Sequence, residues 1–359
     1  MKKFKIVVSD LHIGKGRFLP NGTLNIYEDF DSEDRLIELL QYYTSGDFKG
    51  SDIEFIANGD FFNSIQIDYK GYFPDVITEK ISIEKIKSAL RGHPRLFDIL
   101  KTFNMDGNHS ITFIVGNHDP DLLWEGVRSV LRERIGGRIN FHNISYIVDG
   151  VYVEHGNQYE AVNRFEPKRF FLTKDLPEPI LNLPWATLFI INYLTKVKRN
   201  RPWVDKVRPF RHMLRWTLFN DPGFFFSAIF KMIVYFIQTR FRSTTTRYSN
   251  LKTTFKILKE TSLFEDMTTF ARRVFDLNPD IHSVIFGHTH VYAYHQFENG
   301  REYFNTGTWN AITSLHIDSY GHYRDCTYCL IEYTKPGERP KVTLKKWQGR
   351  WRETVDMSF

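Results

Sequence analysis

Cysteine is nearly absent: Cys326 and Cys329 are the only two in 359 residues. They stand three apart in "RDCTYCLIEYT", which alternates like a strand, so they are expected on opposite faces of a sheet. That excludes a disulfide framework and argues against a metal or redox CxxC. No secretory leader pattern opens the chain, and a reducing cytoplasm is the expected compartment. A bilayer-spanning run of about 20 apolar residues is also missing. The best candidate, "GFFFSAIFKMIVYFIQTRFR", carries Lys231 in its middle, and a central lysine costs about 2.5–3.5 kcal/mol in a membrane. Excess negative charge is lacking as well. With 48 Lys and Arg against 42 Asp and Glu, the net charge is +6, which favours anionic partners such as phosphates, nucleic acid or an acidic membrane surface.

What the chain does have is an α/β rhythm. "FKIVVS" leads to a helical pattern after Asp31, then "IEFIA", a long helical region ending near Phe103, and "ITFIV". An amphipathic helix is expected from Pro120 to Gly136-Gly137. Strands "RINFHNISYIV" and "VYVEH" follow, joined by an Asp149-Gly150 hairpin turn. Near the C-terminal end a helix opened by Ser262 and Glu265 in capping-box spacing closes before Pro279, and "HSVIFG" begins a series of strands.

The strands end in one kind of chemistry. "IVVSDLHIG" delivers Asp10 and His12, "IEFIANGD" Asp60, "ITFIVGNHD" Asn117 and His118, "VYVEHG" His155, and "SVIFGHTH" His288 and His290. Ligands of open α/β sheets bind beyond the carboxyl ends of strands, and Gly59, Gly116, Gly156 and Gly287 supply tight turns there. Asp10, His12, Asp60, Asn117, His155, His288 and His290 are too many donors for a single tetrahedral ion. Two metals need a bridging carboxylate, and Asp60 is the natural candidate.

The ordered series D-x-H, G-D, G-N-H-D, H-G and G-H-x-H resembles the calcineurin-like metallophosphoesterase superfamily, over about the first 160 residues and the stretch after 280. The resemblance implies an α/β (α+β) fold, a four-layer αββα sandwich of two mixed β-sheets with a mainly helical insertion. It also implies one divalent ion on Asp10, His12, Asp60 and His290 and a second on Asp60, Asn117, His155 and His288. Manganese is the first choice, with iron, zinc and cobalt as alternatives. Such a pair acidifies a bridging water and clamps phosphoryl oxygens for in-line hydrolysis of a phosphodiester or pyrophosphate. His118 is the candidate general acid, and Asp119 is read as an acid starting the following helix. "DGNHS" repeats the motif at His109 but precedes its strand, so His109 is expected to be a surface turn residue at the opposite edge. Asn305, Thr306 and Trp309 of "YFNTGTWN" lie near the substrate or form a tight turn.

These readings give a core of residues 1–160 and 262–359 and an aromatic, basic helical insertion over 161–261. Lys196, Lys198, Arg199, Arg201, Lys206, Arg208, Arg211 and Arg215 are nearly unopposed by acids in the sequence. The insertion is a structural cap, a surface for acyl chains and anionic lipid headgroups, or a nucleic-acid groove. The long apolar helices favour lipid, with a location peripheral to the inner face of the membrane. The insertion and core are similar to those of bacterial UDP-2,3-diacylglucosamine hydrolases, which have a shorter insertion and cut a pyrophosphate in a lipid-linked nucleotide. Those enzymes usually carry Arg where this chain has His118, a residue closer to the pattern of phosphodiesterases and repair nucleases. A nuclease, a cyclic-nucleotide phosphodiesterase and a catalytically silent scaffold are the alternatives.

Overall fold

In the computed structural model, residues 2–208, 210–242, 266–315, 321–334, 337–350 and 355–356 are described. Strands β1 (Lys3–Val8), β2 (Asp52–Asn58), β3 (Ser110–Ile114) and β4 (Ile139–His142) are parallel neighbours. Beside β1, Thr327–Tyr333 runs antiparallel, and Lys341–Lys346 and Val355–Asp356 complete a seven-stranded mixed sheet. A five-stranded mixed sheet has the order Tyr292–Gln296, Glu302–Thr306, Ser283–Phe286, β6 (Val151–Glu154), β5 (Ser145–Val148).

The period of two in a strand sorts its side chains into layers. Ile6, Val8, Phe55, Ala57, Ile111 and Phe113 pack with the helices α1 (Glu33–Tyr43), α2 (Glu79–Gly92), α3 (Pro94–Asn104) and α4 (Glu125–Ile135). Their neighbours Val7, Ile56 and Ile114 meet Val151, Val153, Ile285 and Phe304 of the second sheet. On its far face, Val284, Phe286 and Tyr303 pack against Phe270, Ala271 and Val274 of the helix Met267–Leu277. The layers are therefore helix, sheet, sheet, helix. Cys326 joins the first of these cores and Cys329 the second, on opposite faces of one sheet, and both are free thiols.

Several elements differ from expectation. The long helical region is two helices, because Pro94 starts a new one after His93. "RINFHNISYIV" is split between sheets: β4 closes the first, and β5 opens the second. Alternation looks the same in either sheet, so the pattern does not reveal the break. Pro120–Leu123 forms a separate 3₁₀ turn before α4. Asp266 caps Met267–Leu277 by accepting from Thr268 N at 3.1 Å; Ser262 and Glu265 lie outside the described residues. The β5–β6 hairpin does turn at Asp149 and Gly150, with φ of 49° and 79°, as a primed turn requires.

The stretch from 161 begins inside the main body: Phe165, Leu181, Leu183 and Ile191 share the first core. A continuous helical run follows, Trp185–Phe189, a π-helical turn Ile190–Leu194, and Thr195–Lys198. Helices Phe210–Asn220 and Pro222–Arg242 come next. The basic run is less open than its sequence suggests. The Lys198 side chain is fully buried, 3.3 Å from Asp29 and 2.7 Å from Asp205. Lys206 pairs with Asp29 at 3.0 Å and Arg201 with Asp221 at 2.6 Å. No described helix is long and apolar enough to cross a membrane.

Candidate metal centre

The carboxyl ends of β1, β2, β3, β6 and Ser283–Phe286 meet at one edge. Asp10, His12, Asp60, His288 and His290 have φ of 54°, 53°, 51°, 70° and 63°. They are five of the eight described non-glycine residues in the left-handed region, which turns the chain back across the strand ends. His12 N donates to Asp60 O at 2.9 Å and Asp10 N to Gly59 O at 3.2 Å, lacing the first two loops together. Gly59 (φ 77°) faces the His155 ring so closely that no Cβ would fit. Gly116 and Gly287 are needed for room rather than for φ, since a Cβ would strike Asp60 at the one and Ser9 and Asp10 at the other.

Three overlapping clusters result, each with its donor atoms within 4.8 Å of one another: Asp10, His12 and His290; His12, Asp60 and His118; and Asp60, His155 and His288. Asp60 Oδ2 lies 3.2 Å from His155 Nε2 and 3.8 Å from His12 Nε2. Asp10 Oδ1 lies 3.3 Å from His290 Nε2. Asp60 thus shares one cluster with His12 and His118 and another with His155 and His288, and Asn117, next to His118 in the chain, is buried.

The outward atoms are already engaged. Asp10 Oδ2 accepts from Ser9 Oγ and from His288 N, the latter at 2.9 Å. Asp60 Oδ1 accepts from His118 N at 2.8 Å. His155 Nδ1 donates to Asn58 O at 3.0 Å, which aims Nε2 at the cluster. In contrast, Asp10 Oδ1, Asp60 Oδ2, Asn117 Oδ1 and His155 Nε2 are buried without a hydrogen-bond partner. An unsatisfied buried polar atom costs about 1–3 kcal/mol. Asp10, Asp60 and His155 belong to the overlapping clusters, and two carboxylates among imidazoles fit divalent cations.

Electrostatics points the same way. Burial opposes ionisation of Asp10, but His155 and His290 outweigh it and hold the carboxyl at about 2. Asp60 lies well below the usual carboxylate range, burial being overcome by His155 and His118. Burial lowers His12 and His118 to about 4 despite Asp60. Anionic carboxylates and neutral imidazoles are the metal-binding forms. His155 is the exception: burial lowers it, yet Asp60 and Asp10 raise it to about 10, so metal would have to displace its proton.

His118 is only partly buried, and its Nδ1 is 3.0 Å from Asn63 Oδ1. Asn63 Nδ2 donates to Asp29 Oδ2 at 3.1 Å, and Asp29 is the acid that Lys198 and Lys206 neutralise. Asp119 does not serve as a helix-starting acid. It accepts from Gly116 N at 2.7 Å and Phe61 N at 2.8 Å, tying the loops after β2 and β3 together. His109 is buried, not on the surface; its Nδ1 is 2.9 Å from Phe103 O and its ring stacks on Phe103. Trp309 is fully buried and donates to Thr327 O. Asn305 and Thr306 support the loops, Asn305 Nδ2 donating to Gly287 O and Thr306 Oγ1 meeting Ser9 Oγ.

Sequence reasoning missed Ser9, Asn63, Asp29 and Glu160. Asn63, three residues beyond Asp60, was within reach of a closer reading. Glu160 Oε2, 3.0 Å from His288 Nε2, follows His155 by five positions without a motif.

No family model matches the chain, and no curated protein matches it. Solved structures overlap it shallowly. A predicted phosphoesterase from Streptococcus pneumoniae has 10% identity and a TM-score of 0.31, covering 99% of this chain and 98% of that one. Zinc-complexed Vps29 from Entamoeba histolytica has 10% identity and a TM-score of 0.32, with 99% of each chain covered. A dimetal phosphatase from Danio rerio has 8% identity and a TM-score of 0.37, with 99% and 98% covered. Likenesses this shallow carry no argument about activity. The resemblance to calcineurin-like metallophosphoesterases rests on the motifs themselves.

Proposed function

We propose that the chain is a metal-dependent phosphoesterase that hydrolyses a phosphodiester or pyrophosphate bond. The supporting observation is the overlap of three donor clusters at one sheet edge, Asp10, His12 and His290; His12, Asp60 and His118; and Asp60, His155 and His288, each with its donor atoms within 4.8 Å of one another. Asp10, His12, Asp60 and His290 would hold one cation and Asp60, Asn117, His155 and His288 the other, with manganese ahead of iron, zinc and cobalt. When bound, the pair supplies Lewis acidity for phosphoryl oxygens and an acidified water as nucleophile.

The chain's own residues do the rest. Asp60 Oδ1 is committed to His118 N, so Oδ2 alone faces the cluster. With Nδ1–H donated to Asn63 Oδ1, His118 presents Nε2 as the acid–base atom; it delivers a proton to the leaving oxygen only from its doubly protonated form, which burial disfavours and the Asp60 carboxylate favours. Asn63, braced by Asp29, keeps the ring from rotating away.

The test is reconstitution with Mn²⁺, followed by metal analysis and assay of an aryl phosphodiester, a nucleotide pyrophosphate, a cyclic nucleotide and single-stranded DNA. Bound metal and chelator-sensitive hydrolysis of a diester or pyrophosphate are expected. Failure to retain metal, or hydrolysis indifferent to chelation, would overturn the reading. Metal retention with no turnover on any substrate would leave a silent scaffold.

A further inference from the structure

The helices Phe210–Asn220 and Pro222–Arg242 contain no Asp or Glu; their charged residues are Arg211, Arg215, Lys231, Arg240 and Arg242. Along the longer helix, Phe226, Phe230, Ile233 and Ile237 are 62%, 67%, 51% and 49% exposed. Spacings of four, three and four put them on one face. Trp216 and Phe219 are exposed on the shorter helix. The inward side of the long helix is already used: Tyr235 packs on Trp185 and Phe189, and Asn192 Nδ2 donates to its hydroxyl at 3.4 Å. Arg215 and Lys231 are exposed, although the Lys231 ammonium also lies 5.9 Å from the centre of the Tyr193 ring.

The geometry points to docking of this helix pair on an anionic lipid bilayer, with the Phe226–Ile237 stripe at the acyl boundary and the cations against headgroups. An exposed apolar face on a helix pair that carries cations and no acid has the composition of an interfacial helix. A second copy of the chain would bring the same cations face to face across a two-fold interface. A nucleic-acid strand would need an open cationic track, and Lys198, Lys206 and Arg201 are committed to acids of this chain.

The docked helices lie one layer from the chemistry. The Trp185–Lys198 run beneath Tyr235 sends Thr187 Oγ1 to Asn117 O at 3.2 Å and Lys198 to Asp29. The substrate class that follows is a phosphoester carried by a lipid, a step that rests on the phosphoesterase reading.

The test uses the full, Mn²⁺-loaded chain with phosphatidylcholine vesicles, with or without phosphatidylglycerol. Co-sedimentation is expected with the anionic vesicles only, and it should weaken in about 0.5 M salt. Phe226→Ser with Phe230→Ser, and separately Arg215→Glu with Lys231→Glu, should each lower the partition coefficient at least about tenfold. Aryl phosphodiester hydrolysis and circular dichroism should stay as in the parent, because all four positions are exposed. No sedimentation, equal binding to neutral vesicles, or unchanged binding in both variants would overturn docking. So would a dimer in light scattering that the Phe→Ser variant dissociates. If vesicles bind but an embedded lipid phosphodiester is cleaved no faster than a soluble one, the substrate class falls and docking stands. Loss of all hydrolysis in the parent would count against the phosphoesterase reading instead.

Discussion

His12 Nε2 and His290 Nε2 lie 3.0 Å apart, from residues 278 positions apart in the chain. Two imidazole nitrogens at that distance are reconciled by an electrophile they share, a proton or a metal ion. Asp10 Oδ1, 3.3 Å from the second of them, supplies the negative charge that favours a dication.

The two outer clusters differ in what they share. Asp60→Ala should reduce bound metal from about two ions per chain to none, because Asp60 shares one cluster with His12 and another with His155 and His288. Asp10→Ala should keep about one. Inductively coupled plasma mass spectrometry of the reconstituted variants reads the difference, and equal metal content in both would refute a bridging role for Asp60.

Proton transfer separates from metal binding at His118. His118→Ala should retain its metals and lose about 10²–10⁴ in kcat on esters with poor leaving groups, with far less loss on an aryl ester. Asn63→Ala should show the same pattern in weaker form, since it frees the ring without removing it. Equal losses on both kinds of ester would make His118 a phosphate-positioning group.

The loop that carries His118 is braced from below. Ser64 Oγ donates to His118 O at 2.9 Å and also bonds Asp121, whose charge is met by fully buried Lys85 at 3.0 Å. Lys85→Met leaves Asp121 buried and unpaired, a change that costs about 3–5 kcal/mol. Urea denaturation should show a loss of that size, and a loss below about 1 kcal/mol would mean that water reaches the site.

A pH effect should come from His93, which belongs to none of the three donor clusters. Burial lowers its affinity for a proton, but Glu28 and Glu33 overcome this and raise it to about 9; the ring lies 2.6 Å from Glu33 and 3.4 Å from Glu28. The folded value lies above the unfolded one of 6.5. The stabilisation is therefore complete below about pH 6.5 and is lost as pH rises through about 9. Thermal unfolding across that window should fall more steeply in the parent than in His93→Gln.

The ligand residues were legible because each follows its strand within a few positions, so local pattern and site coincide. Asn63, Asp29 and Lys198 were not, since Asp29 finds Asn63 and Lys198 only after the loops and the insertion have packed. The basic run misled for a related reason: Asp29 sits on a distant loop and pairs with Lys198 and Lys206, while Asp205, inside the run, pairs with Lys198. His109 looked like a surface turn residue because its motif precedes its strand, yet Phe103 at the end of α3 stacks over it. The layers were easier to foresee, and the crossing of "RINFHNISYIV" from one sheet to the other was not.

The left-handed backbone at Asp10, His12, Asp60, His288 and His290 sets function against durability. Each such conformation costs an ordinary residue about 1–2 kcal/mol that glycine does not incur. A glycine at any of the five would relax the chain while deleting a donor, so stabilised but inactive variants should be easy to find there. Selection for heat resistance alone would drift toward them. Retaining five non-glycine residues in this conformation makes sense only if their side chains are used.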